Sequence, residues 1–518
     1  MNNSNIYALF RSKLPSDTEA VFLEHERGNL LYNQIENETG QLTGLLKKLG
    51  VKKGDRIIVQ VDKSAEAVLL YLACLRAGAI FIPLNTGYTA KEVDYFIDNA
   101  NPHLIVCRPQ DLDAITASAK TLNVPHVMTL DDQGSGSLIE AKDNAPCSND
   151  TERCEGRDVA CILYTSGTTG RPKGAMLSHD SCVADQKDKL LSHDNLSSNA
   201  NVLHSYWHWE DGDVLLHALP IFHVHGLFVA LHCALLNASK VIFLKKFSLP
   251  AIKKNLPRST VMMGVPTFYV RLLEDPEFTI EMCKNMRLFI AGSAPLLAET
   301  FKEFETVSGH RILERYGMTE AGMITSNPYD GDRIPSTVGY SLPGVSARVA
   351  DDTGSEVSRG KVGILEIKGP NVFEGYWCMP EKTAEEFRED GFFITGDMAT
   401  MDAEGRISIV GRAKDLVISG GFNVYPKEVE NAIDEMEGVK ESAVIGIQHP
   451  DFGEGVTAII VKEIKSGTTE EQVMAFLQDK IARFKQPQKI FFVDELPRNT
   501  MGKVQKKALR DTYHGIYS

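Results

Sequence analysis

CILYTSGTTGRPKGAMLSH, residues 161–179, runs an apolar strand straight into a loop of glycines and hydroxyls. The glycines let backbone N–H groups turn toward a ligand, the hydroxyls of Thr165, Ser166, Thr168 and Thr169 add donors, and Lys173 adds charge. That combination suits a polyphosphate. It is not a GxxxxGK[ST] loop, because Gly167 is followed by Gly170 and only then by Arg171 and Lys173. Alone, the same residues would also suit a flexible surface loop, so the surrounding chain has to decide.

Before the loop, short apolar segments at 56–61, 79–83 and 104–107 alternate with helical stretches at 65–76 and 90–99, which predicts an α/β region with largely parallel sheets. A polar stretch at 131–157 reads as a connecting loop. After it come MRLFIAGSAP (286–295), ILERYGMTE (312–320), GILEIKGPNVFEGYW (363–377) and FFITGDMA (392–399). Each ends an apolar run at polar or Gly residues, where α/β proteins place ligands. Beyond GRAKDLVISGG (411–421) the chain starts a new helix and strand pattern. A large N-terminal region of α/β subdomains (1–411) and a small mobile α+β domain (412–518) are expected. LSHD recurs at 177–180 and 191–194, a local insertion and no repeat architecture.

Bulk composition narrows the class. The chain has 518 residues, enough for two to four units, with 43% hydrophobic and 24% charged residues. A net charge of -14 disfavours nucleic acid as a partner. Its apolar runs fall short of the ~20 residues that span a bilayer. Nine cysteines without a CxxC pair read as reduced thiols, and a cytoplasmic enzyme is the default expectation.

YTSGTTGRPKG resembles the phosphate loop of the superfamily of acyl-CoA synthetases, peptide synthetase adenylation domains and luciferases. PIFHVHG (220–226), GSAP (292–295), YGMTE (316–320), TGD (395–397), GRAKDLVISGG and PRNTMGK (497–503) follow in that family's order over nearly the whole chain. The resemblance implies MgATP and coenzyme A as co-substrates and an acyl-adenylate intermediate. It places Thr165, Ser166, Gly167, Thr168, Thr169, Gly170, Arg171 and Lys173 on the phosphates, Thr319 on the α-phosphate and Glu320 on Mg²⁺. Asp397 would accept the ribose hydroxyls with Arg412 nearby. Gly292, Ser293, Ala294, Pro295, Glu314, Arg315 and Tyr316 would wall the adenine, continued by Gly317 and Met318. Lys503 would reach the carboxylate and α-phosphate during adenylation. Lys414 would be the hinge, and Ser419, Gly420 and Gly421 the face used for thioester formation. Catalytic roles fall to Lys503, Thr319, Glu320, Lys173 and His223.

The segments 219–247, 262–273, 286–304, 325–345 and 496–510 closely resemble those of malonyl-CoA synthetases. A second carboxylate buried beside the reacting one costs several kcal/mol unless a cation meets it, so a malonate pocket needs a basic residue. Arg287 and His223 are the candidates, with Val224 and Met318 setting pocket width. Methylmalonate, acetate or propionate, a carrier-protein thiol in place of coenzyme A, and a silent AMP-binding protein are the alternatives. Between Met176 and Leu196 the chain carries about fourteen residues more than the family pattern.

Overall fold

The computed structural model describes residues 3–17, 19–164, 191–420, 422–464, 466–478, 480–499 and 502–517. The first layer is a four-stranded, fully parallel sheet of β1 (Arg56–Gln60), β2 (Ile80–Pro83), β3 (Leu104–Cys107) and β4 (His126–Thr129), in the order β2-β1-β3-β4. Helix α1 (Ala65–Arg76) connects β1 to β2. It starts where the Ser64 hydroxyl accepts a hydrogen bond from the Ala67 N–H at 3.2 Å. Apart from Glu66 it is buried all round, as its composition requires.

The polar stretch expected to be only a loop contains a short helix, Ser137–Asp143. Leu138 inside it is completely buried, and Lys142 pairs with Glu38 at 2.6 Å. One apolar anchor and one ion pair outweigh the polar composition there.

The second layer is a nine-stranded sheet whose centre is parallel. It holds β5 (Val214–His217), β6 (Lys240–Phe243), β7 (Val261–Gly264), β8 (Leu288–Ala291), β9 (Leu313–Met318) and β10 (Gly322–Ser326), in the order β10-β9-β8-β7-β5-β6. The pair Val21–His25 and Gly28–Leu31 extends one edge and Tyr340–Ser341 the other. β9 and β10 are antiparallel, so the chain doubles back at residues 319–321.

The last stretch of the large region departs from the parallel expectation. β11 (Ser346–Ala350), β12 (Gly363–Lys368), β13 (Phe393–Met401) and β14 (Ile407–Arg412) form an antiparallel sheet. Burial alternates along the whole of β13, which turns Thr395, Asp397 and Ala399 inward. A final sheet joins β15 (Val417–Ser419), β16 (Phe422–Val424), β17 (Val439–His449), β18 (Gly453–Lys462) and β19 (Lys489–Val493) around its own apolar core. Helix α2 (Pro426–Asp434) packs on β17. No helix among the described residues is long and apolar enough to cross a membrane.

Candidate active site

The parallel strands β5, β7 and β8 end at His217, Gly264 and Ala291, and the segments after them meet the β9–β10 turn and the Lys503 segment in one cleft. Asp397 lies at one end, opposite Arg412 in the β13–β14 register. Its Oδ1 accepts from Arg412 Nε at 2.6 Å and its Oδ2 from the Tyr316 hydroxyl at 2.5 Å. Asp397 is 3% exposed, so these two donors hold a buried carboxylate in one orientation. Burial and the Asp397 charge push the Tyr316 phenol well up, which keeps it a donor.

Alternation along β9 separates its residues by face. Glu314 turns toward 292–297: its Oε1 accepts the Leu296 N–H at 3.2 Å, and buried Oε2 has no partner among the described residues. Burial raises this carboxyl to about 8. Arg315 leaves the strand on the other face, and its guanidinium packs against Gly292. An added Cβ on Gly292 would lie 2.4 Å from Arg315 Nη1, so Gly292 makes room for the guanidinium.

Arg315 is 2% exposed, and its Nε and Nη2 have no partner among the described residues. Burial pulls its pKa down to about 9, which leaves it charged at neutral pH. Two histidines and a lysine face it. His223 and His225 are both driven down, by burial first; Lys503 and then Arg315 add to the effect on His223, which falls to about 3. His223 Nδ1 accepts the His225 N–H at 3.3 Å, and His225 Nδ1 lies 3.3 Å from the Ser293 hydroxyl.

Lys503 joins the cleft from the C-terminal segment. Part of its side chain still meets solvent, yet dense surroundings and then Arg412 lower its ammonium pKa, while Asp397 and Glu320 oppose the shift. Its backbone sits in a turn that closes on itself. Asn499 N–H donates to Lys503 O, the Lys503 N–H donates to Asn499 Oδ1 and the Gly502 N–H to Asn499 O, each at 2.9 Å.

Glu320 occupies the β9–β10 turn. The Phe373 N–H donates to its carbonyl at 2.7 Å, and the Tyr376 hydroxyl lies 3.4 Å from its Oε1 while also bonding Glu386. Gly317 is obligatory beside it, since a Cβ there would sit 2.2 Å from Gly322 O. Thr319 is half-buried in the same turn, Met318 packs partly against the main core, and Val224 is buried at the mouth of a π-helical turn, His225–Leu231.

Three expectations fall elsewhere. Thr165 to Lys173, most of the extra segment and Gly421 lie outside the described residues. Arg287 is not in the cleft. It precedes β8, as Asp213 precedes β5 and Thr260 precedes β7, so it sits at the opposite end of the parallel strands, five residues or ~17 Å from Gly292. There its Nη2 binds Asp213 at 2.5 Å and its plane lies over Tyr329. A strand's entrance and its exit look alike in sequence, and the exit faces the cleft. Lys414 is exposed in a 3₁₀ turn, Ser419 is buried, and the Gly420 N–H donates to Phe452 O at 2.8 Å.

Residues 11–377 match the AMP-binding enzyme family, and residues 428–503 match the C-terminal domain of AMP-binding enzymes. The chain belongs to the AMP-binding enzyme family. It is 34% identical over 506 residues to malonate–CoA ligase of Arabidopsis thaliana, covering 91% of this chain and 80% of that one. It is 32% identical to feruloyl-CoA synthase of an Amycolatopsis species, covering 95% of each. Overall identity at that level does not single out the acid; the pocket has to. The structure superposes on ATP-bound MatB from Rhodopseudomonas palustris with a TM-score of 0.95, at 52% identity and full coverage of both chains, and on apo MatB with 0.84. The overall arrangement is therefore nearer to that of the ATP-bound relative than to that of the apo one.

Proposed function

We propose that this chain ligates malonate to coenzyme A at the expense of ATP, through a malonyl adenylate, releasing AMP and pyrophosphate. The observation that carries the choice of acid is the buried Arg315 guanidinium, two of whose nitrogens lack partners among the described residues, beside neutral His223 and the Lys503 ammonium. A desolvated cation without a counter-charge is costly to keep, and a substrate's second carboxylate would complete it. Similarity to malonate–CoA ligase supports the same reading.

In this reading Arg315 binds the distal carboxylate, with His223 donating from Nε2, since its Nδ1 is already an acceptor. Gly292 keeps the guanidinium in place, and Val224 and Met318 bound the width. Asp397 receives the ribose hydroxyls, oriented by Arg412 and Tyr316. Glu314 and Tyr316, with 292–295, wall the adenine. The reacting carboxylate oxygen forms a bond to the α-phosphorus while the bond from phosphorus to the bridging oxygen breaks, and pyrophosphate leaves with that electron pair. Lys503 bridges the attacking oxygen and the α-phosphate, lowering their mutual repulsion. Thr319 bonds the α-phosphate. Glu320, a hard oxygen donor steadied by Tyr376, suits Mg²⁺, which takes one or two carboxylates together with phosphate oxygens. When bound, the ion neutralises charge on the polyphosphate. The coenzyme A sulfur then bonds to the acyl carbon, AMP departs, and the thiol proton is released.

We also assign residues 1–411 and 412–518 to two bodies hinged near Lys414, with Ser419 to Gly421 used in the second half-reaction. Limited proteolysis with and without ATP tests that boundary. The cytoplasm is proposed as the compartment, supported by the described cysteines being free thiols; cell fractionation tests it.

The deciding assay is pyrophosphate release and thioester formation across malonate, methylmalonate, succinate, acetate, propionate and octanoate. Malonate should give the highest kcat/KM. A monocarboxylate preference would overturn the acid and leave the adenylation chemistry standing.

A further inference from the structure

Beneath the acid pocket lies a half-buried lysine that the mechanism above does not use. Lys63 follows β1 in the first sheet, yet its Nζ crosses to the second. It contacts His217 Nδ1 at 2.7 Å, His217 O at 3.0 Å and Leu244 O at 2.6 Å, and lies 4.2 Å from the centre of the Phe243 ring. No carboxylate pairs with it among the described residues. On its other side, His217 Nε2 lies 2.9 Å from Gly226 O.

The protonation pattern follows from what each atom can do. A carbonyl only accepts, so His217 Nε2 carries the proton and donates to Gly226 O. Burial, then the Lys63 charge, drive the His217 pKa well down, so the ring is neutral and its Nδ1 must accept. Lys63 then donates to all three of its neighbours, which requires the ammonium form. Burial lowers its pKa, while three acceptors and the Phe243 face are the surroundings that suit a cation.

What this relay holds is the front of the pocket. Gly226 is the second residue of the π-helical turn, and its backbone is so close to Pro220 O that an added Cβ would lie 2.1 Å away. The Leu227 N–H donates to His223 O at 3.0 Å. The turn 220–226 is therefore pinned at Gly226 and carries both His223 and His225. Were the His217 tautomer reversed, a nitrogen lone pair would face the Gly226 carbonyl.

We propose that Lys63, acting through His217, is a positioning residue for the acid pocket: it fixes the Nε2–H tautomer that pins Gly226 and thereby aims His223 and His225 at the substrate. This rests on reading the cleft as the acid's site. It spans the two sheets, so the first layer of the fold sets the geometry of a pocket built by the second.

The test compares Lys63→Met with His217→Gln, whose amide keeps a donor for Gly226 O, and His217→Asn, which is too short to keep it. Steady-state kinetics use the acid that wild type prefers, and ATP affinity is measured by calorimetry on the same preparations. Lys63→Met and His217→Asn should raise the acid KM roughly tenfold or more with kcat changed less, while His217→Gln stays within about threefold of wild type. ATP affinity should hold within about twofold in all three. Equal loss on the acid and ATP sides, or a Lys63→Met protein with wild-type acid KM, would overturn the relay. If Lys63→Met does not fold, the two His217 variants decide: equal KM values for them would overturn it. Failure of the malonate reading registers separately, as a wild-type preference for another acid.

Discussion

At one end of the cleft Asp397 is met by Arg412 at 2.6 Å and by Tyr316 at 2.5 Å; at the other, Arg315 is buried and Lys63 half-buried, neither with a carboxylate partner among the described residues. The first region is charge-balanced before anything binds, so its residues are oriented at no further electrostatic expense. The second is unbalanced, and the missing charge is of the kind that a dicarboxylate brings. Orientation and selectivity are thus assigned to regions with opposite electrostatics, and each can be broken without the other.

The largest effect is expected where the two regions meet. Lys503→Ala should lower the adenylation rate by about 10²- to 10³-fold, the scale for losing one aimed donor. Thioester formation from chemically supplied malonyl adenylate should remain, as followed by single-turnover mass spectrometry. Equal loss in both half-reactions would contradict the reading of Lys503.

Next comes the unbalanced side. Arg315→Met should cut kcat/KM for malonate by about 10²-fold or more, since losing the partner of a buried charge costs ~2–5 kcal/mol, with propionate affected far less. The same variant should melt no lower than wild type, because an uncompensated buried guanidinium has been replaced by an apolar chain. A large drop in melting temperature would mean that Arg315 is a structural cation.

On the balanced side, Asp397→Asn should weaken ATP binding by roughly tenfold or more, from hydrogen bonds to a charged group worth ~1.5–3 kcal/mol, and leave the malonate KM nearly unchanged. Calorimetric titration with ATP and acid kinetics at saturating ATP separate the two.

The smallest effect is on stability against pH. Glu314 titrates at about 8 in the fold against 4.5 unfolded, so the fold holds a proton that the unfolded chain gives up. That contribution is complete below 4.5 and is lost as pH rises through about 8. His223 runs the other way, at about 3 against 6.5: its contribution is complete above 6.5 and is lost as pH falls toward 3. Glu314→Gln should therefore melt roughly 2–4 °C above wild type near pH 8.5 and close to it near pH 4. Parallel melting curves would mean that Glu314 is ionised in the folded chain.

The sequence was most legible where chemistry is written in consecutive residues. YGMTE, TGD and PRNTMGK point to Thr319, Glu320, Asp397 and Lys503, and the structure gathers Glu320, Asp397 and Lys503 in one cleft. Helices at 65–76 and 90–100 were readable from periodicity, because α1 is apolar on every side and the other is capped by Thr89 with Glu92. Legibility failed where a function depends on which way a side chain points. Arg287 and Arg315 are both basic residues bordering apolar strands; only the strand's direction and its alternation tell the cleft from the far edge. It failed again for Lys63 and His217, which are 154 residues apart and meet only because two sheets pack together. The antiparallel sheet of 346–412 escaped because its strands are as apolar as the parallel ones.

The turn that carries Lys503 has a consequence for how the lysine is aimed. Three hydrogen bonds join residues 499, 502 and 503, Arg498 also donates to Gly502 O, and Gly502 at φ 73° supplies the bend. The bonds from residues 499 and 502 therefore help to set the backbone from which the Lys503 side chain reaches the cleft.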